Sequence, residues 1–241
     1  VNFSYTPKAK PIRPSNPSVL EMAIHRYQCL AIDYHNKKNL DASLIKETPA
    51  ELKERIESLE RDWEHLQLER KKIVTQVILQ KNLESYRKEN LQKDEDELFE
   101  EPHHPTRLLA RNLSAIGEPK PSPDHDPHHI IPGKGQHQQV RLMETRLALH
   151  AHGIGINDPL NGVWLPRNKK HKGHWAGKNT PAHREIHSFN YETWIVSTFS
   201  SPLLPKQAFV SRLQNVKRKL LNGDHPSQII EKKDTNWAGK V

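Results

Sequence analysis

Apolar residues recur at three- and four-residue steps through the first hundred positions, the period of amphipathic helices. Leu20, Ala23, Ile24, Tyr27, Leu30, Ala31 and Tyr34 share one face of a helix predicted from Ser18, its cap, to about Asn39. A stronger start signal is Thr48-Pro49-Ala50-Glu51. Thr48 caps, Pro49 fits the first turn, and Glu51 can reach back to complete a capping box. Behind it Leu52, Ile56, Leu59, Trp63, Leu66, Ile73 and Val77 follow a heptad-like spacing. The series slips at Leu79, Leu83 and Tyr86 before the acidic run from Asp94 to Glu101. A helix over 49–93 would be roughly 65 Å long at about 1.5 Å per residue. Its stripe needs cover, either from the first helix folded back as a hairpin or from a second chain.

The period stops at Glu101. Six prolines between there and Pro127 predict a linker, and four in the first 17 residues predict an extended arm. Pattern then returns in shorter pieces. Ile130-Ile131 and Asn161–Pro166 read as short strands, and helices are expected over about 138–152, 182–199 and 206–221, the last stopped by Asn222-Gly223. The expected fold is α+β, predominantly α. A helical hairpin or coiled-coil region over 1–100, for delivery or partner binding, precedes a linker over 101–127 and a second domain over 128–241.

Composition locates the chemistry. The 241 residues carry a net charge of +8, with 16 His and one Cys. No run approaches 18 apolar residues, so no membrane span is expected, and VNFSYTPKAKPIRPSNPSV lacks the apolar region of a signal peptide. The lone Cys29 excludes a disulfide framework and a thiolate zinc site, leaving any metal to histidines and oxygens. Residues 1–100 hold 17 Lys+Arg against 18 Asp+Glu, whereas 101–241 hold 20 against 11, together with 13 of the histidines. The basic excess and the imidazoles therefore share one region.

Three constellations stand out in that region. Adjacent His128 and His129 on a strand-like segment point to opposite sides, so one can bind a metal while the other deprotonates water. Asn161-Gly162 opens the second strand. His183 and His187, at i and i+4 on an expected helix, can face one cation. A zinc protease would need Glu directly after the first His, but Arg184 holds that place and Glu185 lies one step further on. His25, His35 and His65 read as helix-surface residues, and His103-His104 as a polar loop. Arg167, Lys169, Lys170, Lys172 and Lys178, interleaved with Trp164, His171, His174 and Trp175, form a basic loop suited to phosphates and stacked bases. Tyr191, one turn past His187, can orient it or touch a phosphate.

The order HHIIPGKGQ, HGIGIND, NGVWLP and HREIHSFNYETW resembles the ββα-metal finger of HNH/endonuclease VII nucleases. More narrowly, it is similar to the AHH subfamily of bacterial toxin nucleases, over about residues 124–200. Pro127 stands where that subfamily has Ala, and no structural CxxC zinc site accompanies the finger. The resemblance implies an AHH/HNH-like nuclease domain over 128–241. In it His129 is the general base and Asn161 is catalytic, either orienting the base-bearing loop or helping at the metal. His128, His183 and His187 then hold a divalent cation, with Mg²⁺ expected in cells and Zn²⁺, Ni²⁺ or Mn²⁺ acceptable by ligand type. The nucleic-acid contacts are Arg167, Lys169, Lys170, Lys172, Trp175, Lys178 and Tyr191.

It further implies a DNA endonuclease acting as the toxin module of an effector secreted from a bacterium, working in the cytoplasm of the target cell. An acidic immunity protein would neutralise it, and residues 49–93 would serve a delivery chaperone or self-association. The alternatives are an RNase of the same fold and a non-catalytic nucleic-acid-binding protein with a structural histidine–metal site.

Overall fold

The structure is a computed structural model that describes residues 6–39, 47–201 and 204–240. The first five residues of the expected arm lie outside this set. The chain divides into two compact units, Val1–Ile78 and Leu79–Val241.

In the first unit, helix α1 (Val19–Lys38) starts at a complete capping box between Ser18 and Glu21. Helix α2 (Pro49–Asn90) starts the same way: Glu51 accepts from the Thr48 N–H at 2.7 Å, and the Thr48 hydroxyl accepts from the Glu51 N–H at 3.3 Å. Within this unit α1 lies against α2, with the Tyr34 and Trp63 rings 5.6 Å apart and Lys37 paired to Asp62 at 2.8 Å. The apolar face is only partly covered, since Leu52, Ile56, Trp63 and Val77 stay exposed.

The second unit takes the last turns of α2 and adds α3 (Glu95–Phe99), α4 (Arg107–Ala115), β1 (His125–His129), α5 (Gln139–Ala151), β2 (Gly162–Pro166), α6 (Phe189–Phe199) and α7 (Lys206–Asn222). β1 and β2 pair antiparallel, running from His125 opposite Pro166 to His129 opposite Gly162. Strand alternation sends Val163 and Leu165 into the main core with Ile130, Ile131, Leu142, Leu149, Ile186, Ile195 and Leu213. Trp164, between them, faces the other way onto Leu109 and Leu113 of α4. Gly223 ends α7 in the left-handed conformation at φ 80°. The protein is 56% helical with a single two-stranded sheet among the described residues, so it is α+β and mostly α. No described helix is long and apolar enough to cross a membrane.

The structure corrects three expectations. Residues 101–127 are not a linker throughout, because α4 and the start of β1 lie within them and α4 packs on the back of the sheet. The first strand ends at His129, so Ile130-Ile131 follows it. The helix expected from residue 182 begins only at Phe189. Ser188 caps it by accepting from the Tyr191 N–H, and residues 182–187 form a turn closed by Glu185 accepting from the Ala182 N–H at 2.7 Å. The His183 N–H donates to the Pro166 carbonyl at 2.7 Å, which ties this turn to the end of β2.

Candidate active site

The paired strands and the tied turn bring His128, His183 and His187 together. Their ring centroids lie 4.6–5.5 Å apart, and one nitrogen from each falls within 4.8 Å of the others. The convergence therefore comes from a turn beside the sheet, not from one helical face.

Two of the three rings have a polar neighbour outside the cluster. Tyr191, 1% exposed, donates its hydroxyl proton to the Ile130 carbonyl at 2.8 Å and sits 3.0 Å from His128 Nε2. With that proton committed, the oxygen can only accept from Nε2–H, so His128 keeps its lone pair on Nδ1. The Asp126 carboxylate lies 3.9 Å from His183 Nδ1, beyond direct hydrogen-bond reach, and places a negative charge beside that ring. Burial opposes its ionisation, but the Arg167 guanidinium outweighs this and holds the carboxyl below its ordinary range.

Burial also depresses every imidazole of the group. His183 falls to about 4, chiefly by burial and then by the His187 charge. His187 falls by burial and His104, and His128 falls well below its ordinary value by burial and then by His183, His187 and His129. All are neutral near pH 7, the form that ligates a cation.

His129 projects from the other side of β1. Its Nε2 is 3.1 Å from Asn157 Oδ1, and burial lowers its pKa to about 4 against the opposing pull of that hydrogen bond. Both His128 and His129 reach a cavity of about 340 Å³, which His103, His104, Gly133, His183, His187 and Glu192 help to line. Glu192 shapes its rim by accepting from the backbone N–H groups of Gln136, His137 and Gln138 at 2.6–2.8 Å, a cap for α5 supplied from α6.

The remaining expected residues divide. Asn161 is fully buried and does not line the cavity. Its Oδ1 accepts from the Ile131 N–H at 2.8 Å, and its Nδ2 donates to the Ile131 and Ile156 carbonyls. Of its two expected roles, these contacts are those of orienting the loop after His129. Arg167 spends its guanidinium on Asp126 and the Pro123 carbonyl, and buried Tyr191 is an orienting group, so neither presents a free nucleic-acid contact. Lys169 and Lys172 lie 3.5 and 3.3 Å from Glu185. Lys170, Lys178 and Trp175 are exposed, Trp175 at 86%.

Sequence reasoning missed His103, His104, Asn157 and Glu101. The histidine pair was visible as a motif, but its segment has no periodicity to place it beside His129. Nothing local distinguishes Asn157 in GIGIND or Glu101 at the end of an acidic run.

The family AHH, described as a nuclease family of the HNH/ENDO VII superfamily with conserved AHH, matches residues 109–219. No curated protein and no solved structure matches the chain.

Proposed function

From the match of residues 109–219 to the AHH nuclease family of the HNH/ENDO VII superfamily, we propose that this protein is a metal-dependent endonuclease hydrolysing phosphodiester bonds of DNA. One observation carries the reading: three neutral, converging imidazoles and a fourth held separately open onto one cavity. A set of three neutral nitrogen donors fits a divalent cation. Mg²⁺ is the proposed ion in cells, and Zn²⁺, Ni²⁺ or Mn²⁺ suit the donors by type. When bound, the cation supplies Lewis-acid stabilisation of charge on the phosphate and the leaving 3′ oxygen.

The chain does the rest. Asn157 Oδ1 lies at His129 Nε2, so the ring's Nδ1 can take a proton from the attacking water. Tyr191 orients His128 among the three ligands, and Asp126 sets a carboxylate near His183. Lys170 and Lys178 offer charge to the phosphate backbone, and Trp175 offers a face on which a base can stack.

The family resemblance, with the basic balance after residue 100, supports a wider role as the toxic module of a secreted bacterial effector acting in the target-cell cytoplasm. An acidic immunity protein would complement that balance, and residues 49–93 would meet a delivery chaperone or a second copy. The exposed apolar residues of α2 support this last use.

The test is incubation of the purified protein with supercoiled plasmid and with structured RNA, in Mg²⁺ and in Mn²⁺, with and without EDTA. Plasmid nicking that EDTA abolishes, with RNA spared, is expected. Cleavage of RNA alone would move the substrate to RNA, undiminished cleavage in EDTA would refute the metal, and binding without cleavage of either polymer would favour a non-catalytic role.

A further inference from the structure

The family match begins at residue 109, yet the partner that holds His129 is itself held from outside it. We propose that Glu101 is a positioning residue for His129: its carboxylate sets the orientation of the Asn157 amide, and thereby which ring nitrogen of His129 carries the proton. The proposal rests on the reading of His129 as the base.

Asn157 is 1% exposed, so its amide must find partners within the protein. Its Nδ2 donates to Glu101 Oε1 at 2.7 Å and to the Pro102 carbonyl at 3.0 Å, which uses both amide hydrogens. Neither acceptor carries a hydrogen. Turning the amide over would set Oδ1 against two oxygens, so Oδ1 must face His129 Nε2, as it does at 3.1 Å. An amide oxygen can only accept. His129 therefore carries its hydrogen on Nε2, and the lone pair that can take a proton from water is on Nδ1.

The carboxylate is in turn pinned. Glu101 accepts from the Tyr86 hydroxyl at 2.9 Å on both oxygens and from the Ile156 N–H at 3.1 Å. Burial, and next the Glu101 charge, raise the Tyr86 pKa far above its ordinary value, so the phenol stays a donor. Tyr86 also accepts from the Asn157 N–H at 3.2 Å, closing the loop of contacts on the residue it positions. A side chain at Gly155 would overlap Tyr86, Asn90 and Glu101, so glycine permits this close approach. The last turns of α2 and the end of the acidic run thus belong to the catalytic apparatus.

The decisive reading is the ¹⁵N spectrum of the His129 ring in the full-length, metal-free protein, assigned by difference against His129→Ala. The expected wild-type state is Nε2–H. An Nδ1–H ring in the wild type overturns the proposal, whether or not any variant folds. In Glu101→Gln, an NH₂ group must face either the Ile156 N–H or Asn157 Nδ2, and turning the Asn157 amide over then sets Oδ1 against one oxygen, the Pro102 carbonyl, in place of two. The Nδ1–H tautomer should then appear. The expected fall in kcat lies between about 10-fold and the ~10⁴-fold of a fully inverted histidine tautomer, with KM for plasmid and Zn²⁺ affinity preserved. Tyr86→Phe leaves the Glu101–Asn157 bond in place and should keep Nε2–H. A folded Glu101→Gln protein with an unchanged tautomer and wild-type kcat would also overturn the proposal. If the tautomer switches as expected while His129→Ala cleaves at full rate, the positioning by Glu101 stands and the assignment of His129 as base fails.

Discussion

Two imidazoles in the cavity, those of His128 and His129, each meet a neighbour whose own hydrogen-bonding capacity is already committed. Tyr191 has one proton, gives it to Ile130, and so presents only a lone pair to His128. This makes Tyr191→Phe an informative substitution, because it keeps the ring and removes only the hydroxyl, with its bonds to His128 and to the Ile130 carbonyl. Affinity for Zn²⁺, measured by calorimetric titration, should fall by roughly 10- to 100-fold, the usual effect of losing a group that orients a ligand. Unchanged affinity would mean that His128 does not need this brace. At this scale the sequence was informative about residue types but not about roles. His128, His129, His183 and His187 were legible from motif order. Tyr191 was legible only as a neighbour of His187, because its bond to His128 spans 63 positions. Glu101 and Asn157, 56 positions apart, carried no local signal at all.

Among the elements, periodicity was a good guide where helices were long and a poor one where turns mimic them. The capping boxes at Ser18 and Thr48, the stretch forming α5 and the Asn222-Gly223 stop were all readable, since each rests on contacts within a few residues. The i and i+4 spacing of His183 and His187 suggested a helix, but the Glu185 side chain and the Ser188 cap close a turn there instead. Between residues 101 and 127, prolines cluster at both ends and hide the nine-residue helix α4. That helix is a structural wall of the finger: Leu109 and Leu113 are fully buried against Trp164 on the back of β2. Leu113→Ala should therefore cost about 2–5 kcal/mol in chemical denaturation, as for other buried leucines. A loss within about 0.5 kcal/mol, typical of surface substitutions, would return this segment to the status of a linker.

For the molecule as a whole, burying several neutral histidines links stability to pH. His129, His150 and His183 have pKa values of about 4 in the folded protein, with burial the first cause in each, against about 6.5 for the unfolded chain. Between those limits the unfolded state binds more protons, so unfolding free energy rises with pH across the window. The Tm of the metal-free protein should fall steadily from pH 7 towards pH 4.5, and a flat or rising Tm would contradict the burial of these rings in neutral form. The sequence revealed that charge and histidines concentrate after residue 100, but not that residues 79–100 join the same compact unit. That join depends on pairs such as Arg87 with Asp158, 71 positions apart and 2.8 Å from each other. The central claim is a division of labour across one strand, with His129 taking a proton and His128 holding a cation. It is tested most directly by plasmid nicking in a fixed Mn²⁺ buffer, comparing wild type with His129→Ala, with Mn²⁺ binding measured on the same samples. Loss of a general base predicts a rate lower by about 10²–10⁴-fold with metal affinity retained. Nicking at the wild-type rate by a folded His129→Ala protein would contradict the account.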